Sequence, residues 1–218
     1  MKPLQLMKPT IFLICGIPGA GKSYFTRQFA ASQHLPKVSA DRIRFELFGE
    51  PDFSPAEQTT VQRMVAYMAS ELLIGRRSFI VDAPLTNIKL QRMKINKLAR
   101  ENGYEVLTVW VQTDAITSKE RSFKRNPTKT DDKYNKPLSP AIFESQLKQF
   151  TSPINEAHVV VSGKHTFAAQ QAIVLKKLSS KIVPLNLSNA VMALHDMPLP
   201  PERHINPVHR NQRRINVG

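Results

Sequence analysis

The sequence predicts an α/β fold in three layers: a mostly parallel sheet of about five strands, helices on both faces, and a lid. Three observations lead there. Apolar runs such as Ile11–Cys15 and Ser78–Val81 are short and lack alternation, as strands covered on both faces do. Stretches of helical periodicity separate those runs, so consecutive strands need crossover connections and lie parallel. The helical stretches also carry their own boundaries, with Ser54-Pro55 and Ser139-Pro140 as starts and Gly49 and Gly103 as stops.

Taken in order, Ile11–Cys15 is a strand ending at Gly16, and a glycine- and proline-containing loop leads from it into a helix over Lys22–Ala31. Lys37-Val38-Ser39 is extended and feeds a helix over Asp41–Phe48. Ser54-Pro55-Ala56-Glu57 is a capping box with proline at the first helical position, opening a long helix to Gly75. The strand Ser78–Val81 ends at Asp82. Residues 87–102 form an amphipathic helix with Ile88, Ile95, Leu98 and Ala99 on one side and Lys89, Lys97 and Arg100 on the other. Val106–Val111 is the fourth strand, with Trp110 inside it. A basic helix over Ala115–Arg125, a polar stretch over Asn126–Lys136, a helix to Phe150, a strand over His158–Val161 and a helix over Thr166–Leu178 complete the domain.

The chain has 218 residues, with 31 Lys and Arg against 17 Asp and Glu, a net charge of +14 and a pI near 10.1. That excess favours an anionic partner such as nucleic acid, a nucleotide or an acidic surface, and is silent on fold. Cys15 is the single cysteine, which excludes an intrachain disulfide framework. The N-terminal apolar run is too short for a signal or a membrane span, so the expectation is a cytoplasmic protein with no membrane partner. The six histidines have no zinc-site spacing with Cys15. The domain is expected over residues 1–180, with residues 119–138 as its lid. Residues 181–218 form a basic, proline-rich extension that reads as extended or disordered beyond 195.

Gly16-Ile17-Pro18-Gly19-Ala20-Gly21-Lys22-Ser23 fits G-x-x-x-x-G-K-[ST], with a buried strand before it and a helix after it. Glycines let the backbone curl so that successive N–H groups face phosphate oxygens, and the helix N-terminus adds partial positive charge. Lys22 reaches the β- and γ-phosphates, and the Ser23 hydroxyl is a ligand for Mg2+. Gly16 to Tyr24 are therefore the residues expected to bind a nucleoside triphosphate.

Asp41 and Arg44 lie three apart and share a helix face. A carboxylate beside the γ-phosphate would take the proton of an attacking hydroxyl, and the arginine would hold an anionic acceptor; the other reading is a helix-capping aspartate and a solvated arginine. Asp82 closes a strand at the edge where α/β ligand sites form, and there it would reach the metal through water, orient the acceptor or cap a turn. Arg121 and Arg125, four apart amid Lys119, Lys124 and Lys129, would close over the transferring phosphoryl group or form a solvated basic face.

With Ser39-Ala40-Asp41-Arg42-Ile43-Arg44, Phe79–Ala83 followed by Arg92, Arg121 to Arg125, and Pro153–Glu156, the chain resembles the P-loop kinases of the polynucleotide 5′-hydroxyl kinase, zeta-toxin and chloramphenicol phosphotransferase group. The resemblance spans residues 10–178. It implies transfer of the γ-phosphoryl group of ATP to a hydroxyl, with Asp41 as general base, Arg44, Asp82 and Arg92 at the acceptor, and Arg121 and Arg125 as lid arginines. Tyr24 and Pro84 depart from the pattern, since relatives often carry threonine and a small polar residue there. The acceptor favoured is the 5′ end of RNA or DNA. A small-molecule or nucleotide-sugar kinase and a non-transferase ATP switch are the alternatives. Basic residues of the lid, of helix 87–102 (Lys89, Arg92, Lys97, Arg100) and of the tail (Arg203, Arg210, Arg213, Arg214) fit phosphate-backbone binding, whereas no aromatic–basic array for base stacking stands in the sequence.

Overall fold

A computed structural model describes residues 6–126, 134 and 136–181. The elements run β1 (Thr10–Cys15), α1 (Lys22–Gln33), β2 (Lys37–Ser39), α2 (Ala40–Phe48), α3 (Pro55–Ile74), β3 (Phe79–Asp82), a 3-10 turn (Pro84–Asn87), α4 (Lys89–Glu101), β4 (Glu105–Gln112), α5 (Ala115–Phe123), α6 (Pro140–Gln149), β5 (His158–Ser162) and α7 (Phe167–Leu178). The strands form one sheet in the order β2-β3-β1-β4-β5, parallel at every pairing. Residues 127–133, 135 and 182–218 lie outside the described residues, and with them much of the expected lid, Lys129 and the expected basic extension.

Alternation along β1 explains why its sequence does not alternate in polarity. Phe12 and Ile14 point into one core with Phe25, Phe29, Val174 and Leu178 of α1 and α7, while Ile11 and Leu13 point into a second core with Val61, Val65 and Ala99 of α3 and α4. Asp82 has the strand parity of Ile80, a member of the first core, so it faces α1 and the start of that helix. β4 is covered on both faces: Leu107, Val109 and Val111 are buried on one side and Thr108 on the other, and the Trp110 ring lies 5.9 Å from that of Phe150.

Two local expectations are corrected. The Ser54 hydroxyl accepts from Glu57 N, as a capping box requires, but the Glu57 carboxylate accepts from Asp52 N (2.9 Å) and Phe53 N (3.2 Å) rather than from the Ser54 amide. On α4 the buried residues are Arg92 and Ala99, whereas Leu98 is 49% exposed and Ile88 36% exposed. Ile88 precedes the helix, which starts at Lys89 after the 3-10 turn, and the inward face runs through Arg92 and Ala99, leaving Leu98 at its margin.

Candidate active site

The phosphate loop joins β1 to α1 and is clamped from outside. Gly19 has φ 75°, and a Cβ there would lie 2.0 Å from the Ser118 carbonyl oxygen and 2.6 Å from Ser122 Oγ, so glycine is what lets α5 back the loop. At Gly163, just past β5, a Cβ would fall 1.8 Å from the Ala20 carbonyl oxygen. Thr113 Oγ1 donates to that same oxygen at 3.0 Å. Gly16 N donates to Asn87 Oδ1 at 2.9 Å, which ties the loop's first residue to the turn after β3. Lys22 Nζ donates to the carbonyls of Gly16 (2.8 Å) and Ile17 (3.0 Å), and so caps the cradle. Pro18 and Ala20 are buried, Ile17, Gly21 and Ser23 half-buried, and Tyr24 40% exposed with the Arg27 guanidinium over its ring.

Three charged side chains converge on Lys22. Burial lowers the Lys22 pKa, while the charges of Asp82 and then Asp41 raise it and that of Arg125 lowers it. Asp82, half-buried, is pushed up to about 6 by burial and by the Asp41 charge, against the pull of Lys22 and Lys37. At Asp41 the surrounding protein raises the pKa, and the charges of Arg125, Lys22 and Arg44 lower it. Asp41 is itself open to solvent at the start of α2, so water shares in stabilising its ionised form. A cation that caps a phosphate cradle within electrostatic reach of two carboxylates can bind a terminal phosphoryl group while a carboxylate accepts a hydroxyl proton.

Four predicted residues lie elsewhere in the site than their assigned roles require, or serve it differently. Arg44 is buried, with its guanidinium on the Glu57 carboxylate and the Gln58 side-chain oxygen, so an acceptor phosphate would have to displace an internal ion pair. Arg92 is fully buried and bidentate on Glu156 (2.8–3.1 Å), with Nη1 donating to Thr86 O at 2.9 Å; its place is structural. Arg121 is exposed on α5 and donates to Gly163 O at 3.0 Å, beside the loop rather than over it. The charge of Arg125, just past α5, reaches Lys22 and Asp41, and its Nη1 donates to Lys136 O at 3.3 Å. Asp82 faces α1, beside Thr26 and within reach of the charges of Lys22, Lys37 and Asp41. Asn87, Thr113 and Gly163 were not foreseen, because each meets the loop across a long sequence separation that no local spacing announces.

Ser23 and Thr26 stand near the start of α1, the helix that Asp82 faces, so the side chains there offer only oxygen donors. The Thr26 hydroxyl is buried beside the Asp82 carboxylate and helps to hold it ionised. This chemistry fits a hard cation such as Mg2+, which keeps few protein ligands and takes others from phosphates.

A parallel five-stranded sheet in this order, a phosphate loop after its central strand and a lysine within electrostatic reach of two carboxylates define a P-loop kinase-like domain. Residues 11–153 match the AAA_33 family, an AAA domain, and the chain belongs to that family. No curated protein matches the sequence. Among solved structures, one assigned as a kinase from Chloroflexus aurantiacus is similar at TM-score 0.61 and 18% identity, over 80% of this chain and 99% of that one. A gluconokinase from Sinorhizobium meliloti 1021 is similar at TM-score 0.53 and 18% identity, over 85% and 97%. The Pnkp1/Rnl/Hen1 RNA repair complex contains a chain similar at TM-score 0.54 and 22% identity, over 66% of this chain and 44% of that one. At these identities the likeness is one of fold. No helix among the described residues is long and apolar enough to cross a membrane.

Proposed function

We propose that this protein is a Mg2+-dependent cytoplasmic kinase that moves the γ-phosphoryl group of ATP to a hydroxyl, with the 5′-hydroxyl end of RNA or DNA as acceptor. The observation that carries the reading is the convergence of Lys22, Asp82, Asp41 and Arg125 at the mouth of the phosphate loop. Loop amides and Lys22 hold the triphosphate. Ser23 and Asp82 would hold Mg2+, which when bound offsets charge on the phosphates. Asp41 accepts the proton of the attacking hydroxyl, and the acceptor oxygen forms its bond to the γ-phosphorus. The bond from that phosphorus to the β–γ bridging oxygen then breaks and ADP leaves, with Arg125 offsetting charge on the moving group. The chain's charge of +14 supports a polyanionic acceptor.

Transfer of labelled γ-phosphate from ATP to a panel of 5′-hydroxyl RNA, 5′-hydroxyl DNA, nucleosides, sugar acids and nucleotide sugars tests the proposal. Label should enter the oligonucleotides, and Asp41→Asn should lose about 100-fold or more in kcat with ATP still bound. Label entering only a sugar would select the small-molecule reading. ATP bound with no label transferred to any acceptor would select the non-transferase switch.

A further inference from the structure

Asp41 and Phe45 stand four residues apart on α2 and project from one face, with about 6 Å between their Cβ atoms. Around Phe45 the fold gathers aromatic rings and cations from segments far apart in sequence. The Tyr134 ring lies 6.3 Å away, its hydroxyl donating to Glu46 Oε1 at 2.7 Å. The Lys136 ammonium lies 5.9 Å from the Phe45 ring and 5.8 Å from the Phe53 ring, and donates to Pro51 O at 3.0 Å. The buried Arg44 guanidinium sits 4.8 Å from the Phe53 ring centre. Arg125 connects this group to the catalytic one, since its Nη1 donates to Lys136 O while its charge acts on Asp41.

Phe53 makes the group unusual. It is 52% exposed and has φ 60°, a left-handed conformation that a bulky side chain adopts only when its surroundings enforce it. The enforcement is visible: Glu57, fixed by Arg44, accepts from the amides of Asp52 and Phe53. A backbone held at a cost so that an aromatic ring stays half in solvent serves the core poorly. It serves a ligand with a flat face well.

We infer that Phe45 and Phe53, with the Lys136 ammonium beside both rings, form a stacking platform for the nucleobase next to the hydroxyl that is phosphorylated. Aromatic rings interleaved with cations take bases together with their phosphates, and such stacking tolerates any base because each has a π face. The array that the sequence lacks as a run is assembled by the fold from α2, the segment before α3 and residues 134 and 136. The inference rests on the kinase reading with Asp41 as base, and it names the class of acceptor: a nucleoside-bearing hydroxyl.

The test uses the full-length protein with variants Phe53→Ala, Phe53→Leu, Phe53→Tyr and Phe45→Ala. Binding of 5′-hydroxyl RNA and DNA oligonucleotides labelled at the 3′ end is read by fluorescence anisotropy with a non-hydrolysable ATP analogue present, beside phosphate transfer to oligonucleotide, free nucleoside and sugar acid. Phe53→Ala, Phe53→Leu and Phe45→Ala should each weaken oligonucleotide binding and raise its KM about 10-fold, with ATP affinity unchanged and Phe53→Tyr restoring the wild-type values. The free nucleoside should lose as much as the oligonucleotide, and any transfer to the sugar acid should not change. Leucine serving as well as phenylalanine, or a loss confined to the oligonucleotide, would overturn the placement of the base. Failure of the kinase reading has a different signature: no transfer by the wild type to any acceptor, while the binding arm still judges the platform.

Discussion

At Asp82 a functional demand opposes stability. Its pKa of about 6 lies above the ordinary 3.8, and burial is the main cause. Between those pH values the native state holds a proton that the unfolded state has lost, so stability falls as pH rises through the window, and above pH 6 the ionised carboxylate is a net cost. Asp82→Asn removes that charge. Denaturant unfolding at pH 7 should show the variant more stable by about 1–3 kcal/mol, with the gain shrinking toward pH 4. Its phosphoryl transfer should be lost, since the carboxylate is the side chain proposed to hold Mg2+. In the wild type, kcat/KM should fall as pH drops below about 6, and raising Mg2+ should move that limb lower, because the cation favours the ionised form. A stabilised and active Asp82→Asn would show that the charge is not needed for the chemistry.

Elements were legible where their signals are local. The strand runs, the helix starts at Ser54 and Ser139 and the phosphate loop each reside in a few adjacent residues, and each appears where it was expected. That Lys22, Asp41 and Asp82 lie at one edge follows from the same local signals, because parallel strands present their carboxyl ends to one edge, and their charges act on one another there. The places of Arg44 and Arg92 were not legible, since a guanidinium's role depends on a partner that the fold supplies: Glu57 for Arg44, and Glu156, 64 residues away, for Arg92. The Arg92–Glu156 pair holds Thr86 and Asn87, and Asn87 holds Gly16, so the start of α4 and the phosphate loop form one connected unit. Glu156→Ala leaves a fully buried cation unpaired and should cost about 3–5 kcal/mol in urea unfolding, with weaker ATP binding as the turn loosens. Replacing both partners by apolar residues of similar volume should return most of the stability but not the ATP affinity, because Thr86 O would still lack its donor. Recovery of both would mean that the pair supports packing alone and leaves the loop untouched.

For the whole molecule, the surplus of cations separates a nucleic-acid kinase from a metabolite kinase on the same fold. A small acceptor meets only the charges in the basin, whereas a polynucleotide meets every cation along its path and releases the counterions it had held there. If a single strand engages four phosphates, log affinity against log salt should have a slope of about −3, and a fourfold rise in salt should weaken binding about 60-fold. ATP, confined to the loop, should respond far less. Converting Arg203, Arg210, Arg213 and Arg214 to alanine, a change beyond the described residues, should flatten that slope by up to about 0.7 for each arginine that meets a phosphate, while transfer to a free nucleoside keeps its rate. A slope near zero for the wild type would make the charge of +14 irrelevant to the acceptor and return the choice to a small molecule held by Asp41 and its neighbours.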